Sequence, residues 1–308
     1  MIALLGWFAG RGPWVLVAGI LAGAFLPSVA RVLQPFVPEM VAGLLFLAAL
    51  RIGPKRMVEA SGAVPGLIGI LLVAQLALPL VIIAVLWAFG FLGTPFATAL
   101  VMIAMGSSIS GGPNMVQMIG YDGTDAMRLL ILGTAILPLT VIPVLLLLPD
   151  FGTVAQVVGA ALRLLAVIAV ASGIAFLIRM SVLRAPQPET LRAIDGASAI
   201  LLAVIVIGLM AAVNAAMWQT PAVFLAWLGF VFVANFGLQA LAFLISGGMA
   251  VDRRVAVTIM GGNRNIALFL VALPEEVTTP LLVFIGCYQV PMYLTPILTG
   301  WALKGRLR

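Results

Sequence analysis

The chain has 308 residues, 64% of them hydrophobic and only 8% charged, with a formal net charge of +6. Soluble domains carry about 25% charged residues, so this composition excludes an ordinary soluble domain and leaves an all-α polytopic membrane protein. The absence of histidine and the single cysteine, Cys287, exclude a disulfide framework, a thiolate metal cluster and the usual catalytic base.

Apolar runs of about the 20 residues that a bilayer requires fall at 13–30, 36–50, 63–90, 95–119, 126–148, 154–179, 194–216, 220–246, 255–273 and 277–303. The expectation is ten transmembrane helices. Arg11, the first positive charge, follows an apolar stretch instead of preceding one, so the N-terminus does not read as a cleaved signal peptide. The joints are rich in Pro, Gly or charge, at 50–56, 120–125, 184–189 and 252–254, and 180–193 reads as the longest linker.

Ten helices put both termini on one side together with four loops, and termini and loops together hold thirteen of the sixteen lysines and arginines. Arg31 stands on the other side, and Arg163 and Arg264 fall within spans. Both termini are therefore expected to be cytoplasmic, in a bacterial-type inner membrane. The same loops account for the positive charge, so nucleic acid is not an expected partner. All ten Asp and Glu lie in predicted loops or at span ends, which leaves proton coupling without an evident carrier.

Gly111-Gly112 in the fourth span and Gly261-Gly262 in the ninth are 150 residues apart. Five helices per half is an odd number, so two such halves, 1–150 and 151–308, insert in opposite directions. Glycine-interrupted spans at matching positions of an inverted repeat point to a transport site. Pro113 adds a missing backbone donor to the first break, and Asn114 follows it. The alternative is that glycine pairs are packing notches between membrane helices.

Four short motifs carry a resemblance: Leu72-Val-Ala-Gln-Leu-Ala-Leu-Pro79, Gly111-Gly-Pro-Asn114, Gly133-Thr-Ala-Ile-Leu-Pro138 and Gly261-Gly-Asn-Arg-Asn-Ile-Ala-Leu268. In order and spacing the chain resembles the bile acid:sodium symporter family. The resemblance implies a panel of helices 1, 2, 6 and 7 and a core of helices 3–5 and 8–10, with broken helices 4 and 9 crossing in the core. It implies small organic anions as substrates and two sodium ions behind the crossing. Gln75, Asn114 and Thr134 match sodium-site positions, Asn263 matches the asparagine of the ninth-helix crossover, and Asn235 resembles the polar position of helix 8. The chain departs from the family at Thr258, Gly262 and Pro113, where a glutamate, a glutamine and a small hydroxyl residue are usual.

Arg264 lies about nine residues, or roughly 13 Å, from either end of its span. An arginine at that depth costs about 2.5–3.5 kcal/mol or more. Three readings follow. It holds a substrate carboxylate, with Asn114, Asn263, Asn265 and Gln289 around it; or it occupies the neighbourhood of a sodium ion; or it only satisfies carbonyls of a broken helix. The expected function is an alternating-access carrier of small organic anions, embedded in lipid and without a cofactor. The alternative is a sodium-coupled symporter with a reduced site at Gln75, Asn114, Thr134 and backbone carbonyls, Thr258 standing at a further, altered sodium-site position and sodium being the only metal in view. An intramembrane enzyme lacks a mid-span carboxylate pair, and a channel lacks a ring of repeated charge. Arg163 reads as a residue near an aqueous face, Gln239 as an interhelical hydrogen bond, and Trp87, Trp218 and Trp301 as an interfacial belt.

Overall fold

A computed structural model describes residues 2–62 and 65–304. The start of the predicted third span and Arg306 and Arg308 of the charge argument lie outside the described residues, as do the side chains of Arg56, Glu59, Asp150 and Lys304. The chain is all-α: α1 Ile2–Ala9, α2 Gly12–Phe25, α3 Pro27–Leu33, α4 Val37–Gly62, α5 Pro65–Leu72, α6 Leu78–Ala88, α7 Pro95–Met105, α8 Gly112–Met118, α9 Thr124–Leu145, α10 Val154–Ser181, α11 Pro188–Gln219, α12 Pro221–Ile245, α13 Val251–Gly262, α14 Phe269–Ala272, α15 Glu275–Thr278 and α16 Leu282–Lys304. Among the described residues seven helices are long and apolar enough to cross a membrane, or eight if the pair Ile2–Ala9 and Trp14–Phe25, bent by 86°, counts as one span. This is an integral membrane protein. Its exposed aliphatic and aromatic side chains, such as Val233 at 75% and Trp301 at 82%, are what a lipid solvent permits.

Several boundaries differ from the predicted ones. The 180–193 linker is shorter, because α11 begins at Pro188, a residue suited to a first helical turn. The charged joint 252–254 is the first turn of α13, and joint 50–56 lies inside α4. The acidic residues expected in loops or at span ends include four that open helices: Glu39, Asp125, Glu189 and Asp252 each occupy a first turn, where the helix dipole favours negative charge.

The chain divides into two compact units. The first comprises 1–59, 163–227 and 267–289. Within it α11 packs along α1, α2 and α3. Small residues allow the close approach: a Cβ on Gly196 would stand 1.8 Å from Leu5 O, and one on Gly19 2.9 Å from Ala203 O. Asn214 donates to Ala24 O, and Arg51 pairs with Asp195 of α11. Inside α4, Gly53 takes φ +74°, ψ 161° and kinks the helix, with Pro54 behind it. The left-handed φ suits glycine, and the missing Cβ makes room for the Arg179 guanidinium.

The second unit comprises 60–162, 228–266 and 290–308. Between α5 and α6 the chain makes a π turn, Val73–Ala77. Leu67, Leu71, Gln75, Pro79 and Ile83 are all buried. Such a four-residue beat overruns an α-helix by about 0.4 residue per turn, and the wider π turn keeps it on one face. At one end of the unit, Asp125 accepts from Arg128 (3.0 Å) and Arg253 (2.8 Å), and Asp252 accepts from the Asp122 amide (3.1 Å). These bonds join the start of α9 to the start of α13.

Candidate functional site: two broken helices joined by Arg264

The predicted fourth and ninth spans are both interrupted. α7 has 11 residues, a rise of about 16 Å and too short to cross the hydrocarbon. It stops at Gly106, and the chain runs extended before α8. α13 stops at Gly262, and Asn263 is extended at φ −100°, ψ 91°. The two extended pieces pair as an isolated antiparallel bridge between Ser108 and Arg264. The Ile109 amide donates to Asn263 O (3.0 Å), and the Asn265 amide donates to Ser107 O (2.7 Å). Non-helical backbone at membrane depth must be satisfied by protein, and here each break satisfies the other.

The breaks leave helix C-terminal carbonyls without donors. Arg264, 3% exposed, reaches two of them. Its Nε donates to Gly261 O (2.9 Å) in the last turn of α13, and its Nη1 donates to Gly106 O (3.1 Å) at the end of α7. Each helix end carries partial negative charge, so a cation between two such ends is stabilised from both sides. The two carbonyl ends thus supply the guanidinium with counter-charge, which helps to retain a buried arginine at this depth.

On α12 and α16 a buried amide and hydroxyl network braces the second break. Asn235 Nδ2 donates to Gly262 O (2.7 Å) and to Asn263 Oδ1 (3.3 Å). Gln239 Nε2 donates to Asn235 Oδ1 (2.6 Å) and to Thr295 Oγ1 (3.1 Å). Thr295 Oγ1 donates to Asn263 Oδ1 (3.0 Å), and Thr299 Oγ1 donates to Gln239 Oε1 (2.6 Å). Asn263 Nδ2 closes back on Ile259 O (2.7 Å). Gln239 is an interhelical bond, as its sequence reading has it. Thr295 and Thr299 have no place in that reading; their i, i+4 spacing on one face of an apolar helix is the signal that finds them.

Beside the bridge lies a cavity of about 500 Å3. Its walls are aliphatic, from Ile70 and Val73 on one side to Leu238 and Met260 on the other, and Ser108 and Arg264 bring its polar groups.

The remaining predicted residues scatter. Asn263 and Arg264 are buried at the crossing, and half-buried Asn265 joins it through its backbone. Asn114 does not enter the buried cluster: it is exposed on α8. The hydrogen bonds of the Asn263 side chain run to α12, α13 and α16. Gln289 belongs to the first unit and donates to Ile285 O of its own helix (3.1 Å). Thr258 donates to Arg254 O (2.8 Å), one turn back. Gln75 sits in the π turn, fully buried, its Nε2 donating to Gly133 O (3.2 Å) and its Oε1 unpartnered among the described residues. Thr134, next to Gly133, is half-buried. The glycine pairs also occupy different places: Gly111-Gly112 stands where α8 begins, after its break, and Gly261-Gly262 ends α13, before its break. No group of metal-ligating side chains is found among the described residues. No protein-family model and no curated protein matches the chain.

Proposed function

We propose that the protein is a secondary transporter of small organic anions working by alternating access. In this reading the ten predicted helices form two inverted five-helix repeats, with a panel of helices 1, 2, 6 and 7 and a core of helices 3–5 and 8–10. The observation that carries it is the antiparallel Ser108–Arg264 bridge between two interrupted helices, with an arginine at the join and a cavity beside it. Transporters place substrate where discontinuous helices meet, and a fixed guanidinium there selects an anion. The chain's division into two units, with α7, α8 and α13 in the second, also supports a core that is separate from a panel. Because the Arg264 charge is permanent, the carrier needs no sodium to complete its site and works by exchange or facilitated diffusion.

A second reading, sodium coupling, is favoured by one observation. Gln75 Oε1 is buried in a π turn without a partner among the described residues; π turns gather at functional sites, and such a carbonyl oxygen suits a hard cation.

Thermal unfolding in detergent separates the two. Midpoints are measured in sodium chloride and in choline chloride, each with and without a series of monocarboxylates, for wild type, Arg264→Lys and Gln75→Leu. A carboxylate-dependent rise that is equal in both salts and lost in Arg264→Lys supports the exchanger. A sodium-specific rise that is lost in Gln75→Leu supports the symporter. No rise with sodium over choline and none with any carboxylate overturns both.

A further inference from the structure

The first unit carries a second concentration of chemistry, well away in sequence from the broken helices. Where α4, α10 and α11 meet, Ala49, Leu50, Ala175 and Ile194 form a small apolar cluster. The elements that meet here carry Arg51 and Lys55 on α4, Arg179 on α10, Arg184 just beyond it, and Glu189, Arg192 and Asp195 on α11. Asp195 is already taken by Arg51.

Arg179 is the most enclosed of these cations with a donor left unpaired among the described residues. Its guanidinium lies against the Gly53 kink, 2.6–3.1 Å from where a Cβ would be. Its Nη1 donates to Leu183 O (3.1 Å). Its Nε is enclosed and without an acceptor among the described residues. A guanidinium has five donors in a planar fork, and leaving them unpaired next to protein is costly. Arg184 stands one turn on, exposed, spending its Nε on Met180 O (2.8 Å). Lys55 and Arg192 are exposed with no carboxylate bonded to them among the described residues.

The surface next to these charges is apolar. Leu177 (64%) and Met180 (59%) are exposed at the same end of α10, and Val182 (76%) just beyond it. A cluster of cations bordered by exposed aliphatic side chains, at the ends of membrane helices, matches the two halves of one molecule. We infer that the Arg179–Gly53 notch, with Lys55, Arg184 and Arg192, seats the phosphate headgroup of an anionic phospholipid whose acyl chains lie along Leu177 and Met180. The sequence-based orientation puts this cluster on the cytoplasmic side, where basic pockets at membrane helices take anionic headgroups. The site is independent of the transport reading.

The test reads lipid retention by native mass spectrometry after exchange into a mixture of phosphatidylglycerol and phosphatidylcholine. Wild type keeps phosphatidylglycerol preferentially. Affinity falls about fivefold for each cation removed in Lys55→Gln/Arg184→Gln, whose side chains are exposed and whose folding is spared. Arg179→Gln falls at least as far, and Arg31→Gln, at an exposed cation elsewhere in the unit, retains wild-type preference. Equal retention of the two lipids by wild type, or undiminished preference in both cluster variants, overturns the proposal. So does a rise in unfolding midpoint that inorganic phosphate produces as fully as phosphatidylglycerol, since that assigns the notch to a free anion.

Discussion

Gly262 lies so close to Asn235 that a Cβ on it would stand 2.1 Å from Asn235 O, while the Asn235 amide donates 2.7 Å to Gly262 O. The end of α13 is thereby held against α12 at a distance only glycine allows. Gly262→Ala forces the helices apart and is expected to cost about 1–3 kcal/mol, read as a lower unfolding midpoint. Gly111→Ala is the control. A Cβ there meets nothing within 4 Å, so its midpoint stays at the wild-type value.

Arg264 is expected to matter for folding as well as for any solute. Arg264→Gln withdraws the donors from Gly106 O and Gly261 O and is expected to cost at least about 2 kcal/mol. Arg264→Lys keeps the charge but has no fork to reach two carbonyls, so its midpoint also falls below wild type. Wild-type stability in both variants would mean that neither carbonyl depends on the guanidinium.

The amide and hydroxyl network predicts coupling. Thr295→Val removes a donor to Asn263 and an acceptor for Gln239, and Thr299→Val removes a donor to Gln239. Each is expected to destabilise by about 1–2 kcal/mol. The double variant departs from their sum by at least about 0.5 kcal/mol, because both act through Gln239. Strict additivity in a double-mutant cycle would show two independent bonds.

Gly53→Ala meets two obstacles, a left-handed φ of +74° and the Arg179 guanidinium. The backbone part alone costs about 1–3 kcal/mol. Pairing the substitution with Arg179→Ala separates the two: the steric part disappears, the conformational part persists, and the midpoint recovers only partly.

Asp122 supplies a pH dependence. The Thr124 hydroxyl and then its backbone amide hold the Asp122 carboxyl below the usual carboxylate range. A depressed carboxyl stabilises the folded chain above its ordinary pKa, and that stability is lost as pH falls through the lowered folded value. Asp122→Asn keeps an acceptor for Thr124 and loses the titration. Its midpoint is therefore expected to fall less than that of wild type on acidification below the usual carboxylate range.

The long apolar helices are legible in the sequence because a bilayer leaves few alternatives for 20 apolar residues. Arg264 is legible because a charge inside such a run is rare. The partners that keep it there are not. Gly106 is 158 residues away, and nothing local distinguishes its carbonyl from others in a glycine- and serine-rich stretch. The glycine pairs locate each break to within a few residues but misplace the first one, because Gly112 and Pro113 are compatible with a first helical turn as well as with an interruption. Asn114 illustrates the same limit: its motif suggests a ligand, and the turn of α8 points it outward.

The 158-residue separation between Arg264 and Gly106 also sets an order of events during synthesis. At about 5–20 residues per second, α7 waits roughly 8–30 s for the arginine that caps it. Throughout that interval Ser107 O and the Ile109 amide lack their bridge partners, in a solvent that offers them none. The first broken helix is therefore completed only when the second arrives, and a nascent chain arrested before residue 264 presents an unfinished membrane helix to the cell's quality control.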